Sequence, residues 1–118
     1  MMVVDPIVLR ERISGSEAEI VFVVPDDLEY FDGHFPGVRV VPGVVQIRWA
    51  IETARRCLPV AGAFAGMEAV KFQQIMGPGI EVTLALKYAS DTGKLYFSFD
   101  SEQGRYSSGR VILSRSAR

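Results

Sequence analysis

The segment IEVTLALKYASDTGKLYFSFD, residues 80–100, decides the fold class. Its first half, IEVTLALKY, alternates apolar and polar side chains, which is the period-two pattern of a half-buried strand. SDTGK is typical of a hairpin turn, because Gly93 can take a positive φ without a Cβ clash. The second half places Leu95, Phe97 and Phe99 on one face of another strand. The segment therefore predicts two antiparallel strands joined by a tight turn.

Further strands flank this hairpin on both sides. RYSSGRVILSR, residues 105–115, follows a second turn and predicts the third strand of an antiparallel meander. AEIVFVV, residues 18–24, is rich in β-branched and aromatic residues and predicts a strand that is buried on both faces for part of its length. MEAVKFQQI, residues 67–75, predicts one more strand, which ends at the MGPG turn.

One helix is predicted between these strands. Pro42-Gly43 marks its start, and Pro59 limits its end, because the residue before a proline avoids helical dihedral angles. Trp49 is expected to pack at the surface of this helix or in a dimer contact. At the helical spacing of three and four residues, one apolar stripe is formed by Val44, Ile47, Ile51, Ala54 and Leu58.

These elements predict an α+β fold, formed as one domain over residues 1–118, with the helix lying on a mostly antiparallel sheet. The sheet carries more apolar surface than one four-turn helix can cover. We therefore expect the sheet to curl around the helix and a second copy of the chain to cover what remains.

Composition excludes several classes of protein. Of the 118 residues, 48% are hydrophobic and 23% are charged, and the net charge of −1 argues against a non-specific nucleic-acid binder. A single cysteine, Cys57, cannot form an internal disulfide, so we expect a cytoplasmic protein. No apolar run approaches the length of a membrane span. One histidine and one cysteine make no zinc site, and no glycine motif supports a nucleotide, so neither metal nor cofactor is expected.

The one histidine lies in GHFPG, residues 33–37, and PGV, residues 42–44, follows at the predicted start of the helix. Downstream, KFQQ, residues 71–74, precedes a GPG turn. In order and spacing these segments resemble the active-site segment and the K-F-R-R strand of bacterial 3-hydroxyacyl-acyl-carrier-protein dehydratases. Within that family, PGVVQIRWAIE, residues 42–52, is similar to the dehydratase-like proteins of aryl-polyene biosynthetic clusters.

The resemblance implies a hot-dog fold, in which a curved antiparallel sheet wraps around one long central helix, and a homodimer or a larger even oligomer. It implies an acyl thioester substrate, carried by an acyl carrier protein, in fatty-acid or polyene biosynthesis. By resemblance, His34 is the catalytic base and the amide of Gly43 binds the thioester carbonyl. The residues expected to contact the substrate are Phe35, Pro36, Val44, Gln46 and Phe72.

The chemistry of dehydration agrees with these residue types. Removing water from a 3-hydroxyacyl thioester needs a base at C2, an acid for the departing hydroxyl and a donor for the thioester carbonyl. The pKa of an imidazole lies near working pH, which suits the base. A backbone N–H at a helix N-terminus has no intrahelical partner and lies at the positive end of the dipole, which suits the donor. Gly43 beside Pro42 also serves simply to start a helix, and that structural interpretation stays open.

Position 48 departs from the family pattern. The family carries Glu or Asp fourteen residues after the histidine, whereas this chain has Arg48. Arginine is always protonated and cannot act as the general acid. Glu52, one turn further along the helix, lies within pairing reach of Arg48. Three interpretations stay open: Arg48 stabilises the departing oxygen, binds an anionic part of the substrate, or marks a chain that has lost dehydration.

Two other functions compete with the hydro-lyase. The chain is alternatively a catalytically degenerate acyl-binding subunit, or one half of a heterodimer whose other chain brings the carboxylate. A thioesterase on the same fold is the third possibility, with His34 as its best candidate base.

Overall fold

Six strands and one helix form the structure, a computed structural model that describes residues 4–28 and 39–114. Every pair of neighbouring strands is antiparallel, and the order across the sheet is β1-β2-β4-β5-β6-β3. In chain order the elements are β1 (Ile7–Ser14), β2 (Glu17–Val23), α1 (Gly43–Cys57), β3 (Ala63–Phe72), β4 (Glu81–Ala89), β5 (Lys94–Ser101) and β6 (Gly104–Ser114).

The predicted meander of β4, β5 and β6 is confirmed. Leu84 pairs with Phe99 and Leu86 with Phe97 across β4 and β5, and all four side chains are buried on the face that looks toward the helix. Gly93 has a φ of 72°, the left-handed conformation that the sequence predicts for this turn. Alternating burial along both strands shows that one face of the sheet forms the core.

Strand β2 differs from the prediction, because only one of its faces is buried. Ala18, Ile20 and Phe22 point into the core, whereas Glu17 and Glu19 are exposed. Consecutive apolar residues from Ile20 suggest burial on both faces, but within residues 4–28 and 39–114 no second layer covers the outer face of the sheet. The strand therefore follows the ordinary alternation of a half-buried sheet.

Strand β1 was not predicted from the sequence. Its apolar residues do not alternate regularly, because all eight residues of the strand are exposed and a bulge between Val8 and Arg10 shifts the register with β2. A bulge places two residues of one strand opposite one of its neighbour, which breaks the period-two signal.

Strand β3 was predicted over residues 67–75, but it begins at Ala63 and ends at Phe72. After Phe72 the chain leaves the sheet, and the backbone N–H groups of Gln73 and Gln74 both donate to the Tyr106 carbonyl.

The helix lies where the sequence predicts it, and the predicted apolar stripe is confirmed in part, because Ile47, Ala54 and Leu58 are buried. Val44, placed in the predicted apolar stripe, is 74% exposed, and Ile51 is only half-buried. Trp49, expected at the surface, is instead 2% exposed and packs edge-on against Phe22 with ring centroids 5.7 Å apart. At about 100° per residue, Trp49 lies about 140° around the helix from Val44. Burial of the large indole therefore decides which way the helix faces.

Both edges of the sheet reach the helix, as expected for a sheet that curls around it. On the β1 side, the indole N–H of Trp49 donates to the Val4 carbonyl at 3.1 Å, and Arg56 pairs with Glu11 at 2.5 Å. On the β3 side, the ring of Phe72 packs against Gly43. The predicted α+β hot-dog arrangement of one helix wrapped by an antiparallel sheet is confirmed.

The helix α1 is too short and too polar to cross a membrane, and the described ranges contain no other candidate span.

Candidate functional site

The predicted site divides into residues that the structure describes and residues that it does not. The histidine loop lies outside the described ranges, and with it His34, Phe35 and Pro36. The roles predicted for these three residues stay predictions. The structure places the other predicted site residues, which are Gly43, Val44, Gln46, Arg48 and Phe72.

The start of α1 presents backbone amides that the fold leaves open. Pro42 is the N-cap, with φ −58° and ψ 148°, and its side chain makes no capping hydrogen bond. Its carbonyl accepts the amides of Val45 at 3.0 Å and Gln46 at 3.1 Å. Within the described part of the chain, the amides of Gly43 and Val44 donate to no acceptor. Open amides at the positive end of a helix dipole stabilise an oxygen that gains negative charge.

Gly43 has a structural reason to lack a side chain. A Cβ at this position would lie 2.6 Å from Cζ of Phe72 and 2.8 Å from Cε1. The phenyl ring therefore lies directly on the backbone at the helix start. The prediction that Gly43 starts the helix beside Pro42 is compatible with this contact. The predicted binding of the thioester carbonyl by its amide is compatible with it as well.

Exposed apolar side chains occur at the helix start and along β3. Val44 is 74% exposed and Phe72 is 51% exposed, although both are large hydrophobic residues. Three more exposed apolar side chains follow the β3 edge and the segment after it: Phe64, Met67 and Ile75. Together, Val44, Phe64, Met67, Phe72 and Ile75 form what we call the β3 apolar rim. Several exposed apolar side chains on one edge strand are typical of a surface that binds an apolar ligand or another chain.

Gln46 is buried, in contrast to the exposed Val44. Its side chain is 3% exposed, its amide nitrogen donates to the Val41 carbonyl at 3.0 Å, and its oxygen accepts the Ser107 hydroxyl at 2.7 Å. Both ends of the amide therefore have partners within the chain. A contact between Gln46 and substrate, as predicted from the sequence, would require one of these bonds to break.

Arg48 lies on another side of the helix from Gly43. Its Nε lies 3.6 Å from the Glu52 carboxylate, as the sequence predicts, and its Nη2 lies 3.5 Å from the Val4 carbonyl, just before β1. Gly43 instead faces Phe72 at the end of β3. Because β1 and β3 are opposite edges of the sheet, one copy of the chain does not bring Arg48 and Gly43 together.

The surroundings of Cys57 shift the pKa of its thiol. Partial burial raises the pKa of the Cys57 thiol, the nearby Arg56 lowers it, and the Glu11 carboxylate raises it further. No group of three metal-ligating side chains occurs in residues 4–28 and 39–114.

An open groove of about 660 Å³ lies on the outer face of the sheet, and its lining includes none of the described site residues. Three of its lining residues already pair with carboxylates of this chain: Arg12, Arg105 and Arg110.

Ser107 is the residue that the sequence analysis missed. It is completely buried, and its hydroxyl is the partner of Gln46. The signal is present in the alternation of β6, because Leu113 and Val111 point inward and the same period places Ser107 inward as well. A polar residue at an inward strand position needs a hydrogen-bond partner in the core.

Comparison with known proteins gives consistent similarities. A family model described as ApeI-like, ApeI dehydratase, matches residues 10–110. The chain is 29% identical over 104 residues to the 3-hydroxyacyl-[acyl-carrier-protein] dehydratase FabZ of Erythrobacter litoralis, covering 77% of this chain and 69% of that protein. It is 34% identical over 95 residues to FabZ of Ligilactobacillus salivarius, covering 71% of this chain and 66% of that protein. The chain thus spans about two thirds of the length of these relatives.

Solved structures show the same fold. The dehydratase heterocomplex ApeI:P from Xenorhabdus doucetiae contains a chain that matches with a TM-score of 0.88 and 32% sequence identity, covering 94% of this chain and 99% of that chain. An uncharacterized protein from Erwinia carotovora subsp. atroseptica matches with a TM-score of 0.83 and 29% identity, covering 93% and 96% of the two chains.

Proposed function

The chain belongs to the ApeI-like dehydratase family, and from this premise we propose that it is a hydro-lyase that removes water from a 3-hydroxyacyl thioester. The observation that carries the proposal is the open start of α1, where the amides of Gly43 and Val44 lie beside the β3 apolar rim. An acyl chain needs an apolar surface, and its thioester carbonyl needs a donor at one end of that surface.

In the proposed reaction, His34 removes the proton from C2 of the substrate. Negative charge then develops on the thioester oxygen, where the amide of Gly43 stabilises it. The bond between C3 and its hydroxyl breaks, the hydroxyl leaves as water with a proton returned by His34, and a 2-enoyl thioester remains. Arg48 supplies positive charge near the departing oxygen rather than a proton, because a guanidinium does not ionise at working pH.

We propose that the substrate is carried by an acyl carrier protein, in fatty-acid or polyene biosynthesis. Two of the relatives described above are named for dehydration of acyl-carrier-protein substrates, the family model is described as ApeI dehydratase, and the polyene pathway is what the resemblance of residues 42–52 implies. The proposal includes a cytoplasmic location, which a chain with one cysteine suits.

We propose further that the working unit is a homodimer or a larger even oligomer. The β3 apolar rim is open to solvent in one copy, and β3 is an edge strand of the sheet. Since Arg48 and Gly43 face opposite sheet edges, Arg48 acts at a site that is completed by a neighbouring copy. One similar structure is titled a heterocomplex, so light scattering of the purified chain, alone and with a co-expressed homologue, distinguishes a homodimer from a heterodimer.

The test of the function is incubation with 3-hydroxyacyl and 2-enoyl thioesters, followed by mass spectrometry. We expect loss of water from the first and gain of water by the second, and we expect His34→Ala to abolish both. Release of free thiol would instead identify a thioesterase. Saturable acyl binding without turnover would identify a non-catalytic acyl-binding subunit.

A further inference from the structure

We propose that Gln46 and Ser107 are positioning residues, which hold the first turn of α1 so that the amides of Gly43 and Val44 stay directed at the thioester carbonyl. The inference rests on the proposed function and deepens it at the same site. Neither residue is required to touch the substrate.

The first observation is a buried polar link between the helix and the sheet. The Ser107 hydroxyl donates to the Gln46 side-chain oxygen at 2.7 Å, and the other end of the same amide donates to the Val41 carbonyl at 3.0 Å. Gln46 and Ser107 are the polar residues that lie in the core among the described ranges. Polar groups in a core require partners, so this link is satisfied only while the helix keeps its place relative to β6.

The second observation is that the polar link and the Phe72 contact attach the helix to two strand residues that are themselves paired. The ring of Phe72 packs on Gly43, and Phe72 is the register partner of Ser107 across β3 and β6. Ser107 bonds to Gln46, which lies one turn after Gly43 on the helix. The first turn of α1 is therefore attached to the same pair of strand residues at two points, one apolar and one polar.

The third observation concerns the segment that enters the helix. Val41 accepts the Gln46 amide through its carbonyl, and its own N–H donates to the Met76 carbonyl at 2.8 Å. Gln46 thus links the helix both to β6 and to the segment that precedes Pro42. Gln46 makes no capping bond, so it holds the first turn in place while the amides of Gly43 and Val44 stay open.

Directional bonds explain why a polar pair suits this position better than an apolar one. An apolar contact tolerates sliding, whereas a hydrogen bond weakens steeply when its angle changes. A misplacement of about 1 Å in a catalytic group costs up to roughly 100-fold in rate. The link therefore fixes the direction of the open amides more strictly than the Phe72 contact alone.

The decisive variant is the double substitution Gln46→Leu/Ser107→Ala, which removes both polar partners together. Replacing both partners of a buried hydrogen bond by apolar groups is nearly neutral for stability, whereas loss of the Gln46 donor from the Val41 carbonyl lowers stability, so the melting temperature is measured together with kcat. We expect its kcat for hydration of a 2-enoyl thioester to fall about 10-fold with little change in KM, because binding surface is kept while donor direction is lost. Exchange of the Val45 and Gln46 amide hydrogens, which are bonded to the Pro42 carbonyl, should become faster.

Two further variants separate positioning from general stability. Ser107→Thr keeps the hydroxyl and should retain kcat, even where its extra methyl group lowers the melting temperature. Tyr106→Phe removes a hydrogen bond of similar length, 2.8 Å to Ser101, that does not touch the helix, and it should leave kcat unchanged.

A double variant with the parental kcat, or a kcat that simply follows melting temperature across the three variants, would overturn the inference. If the parental chain shows no turnover, the proposed function fails separately. The exchange rates then still decide whether Gln46 and Ser107 hold the helix start, and unchanged exchange in the double variant would refute it.

Discussion

The ring of Phe72 occupies the space that any side chain at Gly43 would need, since a Cβ there would lie 2.6 Å from Cζ of the ring. The glycine at the start of α1 and the phenylalanine at the end of β3 therefore fit together as a pair. This contact brings an exposed aromatic surface to the open amides of the helix. It links the helix start, which suits the thioester carbonyl, with the rim that suits the acyl chain.

Gly43→Ala should lower turnover more than stability. The added methyl group displaces the Phe72 ring, which is half-exposed and can move, while alanine is the better helix former. We expect kcat/KM for a 2-enoyl thioester to fall about 10-fold, because methyl and ring crowd the approach to the amide. Gly77→Ala is the matched control, since its Cβ would meet only the Arg39 carbonyl at 3.6 Å. Equal effects of the two substitutions would contradict the assignment of Gly43.

Arg48→Glu should raise dehydration if the chain has merely lost its general acid, and should lower it if the positive charge of Arg48 assists the departing oxygen. A carboxylic acid at this position can protonate the leaving hydroxyl, which a guanidinium cannot. The substitution also replaces the Arg48–Glu52 pair with two like charges, at a cost of a few tenths of a kcal/mol, so Glu52→Gln is added in a second variant. Arg48→Gln, with neither charge nor acid, is the control. Unchanged or lower turnover in Arg48→Glu would show that the dehydration step does not lack an acid.

Cys57 should react slowly with iodoacetamide near neutral pH. Partial burial raises the pKa of its thiol, and only the thiolate is alkylated, so the rate should rise at higher pH than for free cysteine. Glu11→Gln removes a carboxylate that raises this pKa and leaves Arg56 to lower it. The pH at which the rate is half-maximal should therefore fall in this variant. A profile that does not move would show that Glu11 lies too far from the thiol to act on it.

Gly93→Ala should destabilise the β4–β5 hairpin by about 1–3 kcal/mol. The alanine would be held at a left-handed φ, and its Cβ would clash with the Leu113 carbonyl. Gly15→Ala is the control: its φ of 59° is also left-handed, but a Cβ there would meet no atom within 4 Å. Denaturant unfolding of both variants measures the difference. Equal losses would mean that the clash at Leu113 adds nothing to the backbone strain.

Local signals in the sequence were sufficient for most elements. Alternation over residues 80–100 predicted β4, β5 and the Gly93 turn, because a half-buried strand and a tight turn impose residue types at short range. Strand β1 escaped prediction for the opposite reason, since its bulge between Val8 and Arg10 breaks the alternation that a pattern search needs.

The candidate site was predictable only as a set of residue types. The motif around residues 42–44 located the helix start, and the spacing to position 48 identified Arg48 as unusual. Neither the packing of Phe72 on Gly43 nor the link between Gln46 and Ser107 could be read from the chain, because their partners are distant in sequence. Gln46 was expected at the substrate and is instead bonded at both ends within the core.

By itself the sequence determined the α+β class, the helix, the meander and the family, since these depend on the period of apolar residues and on short motifs. Tertiary structure decided which face of α1 is buried: Trp49 and Gln46 turn inward, so Val44 and Arg48 face outward. The physical reason is that the aromatic cluster with Phe22 and the hydrogen bond to Ser107 lie on one side of the helix. Contacts between distant residues choose that side, and helical period alone cannot.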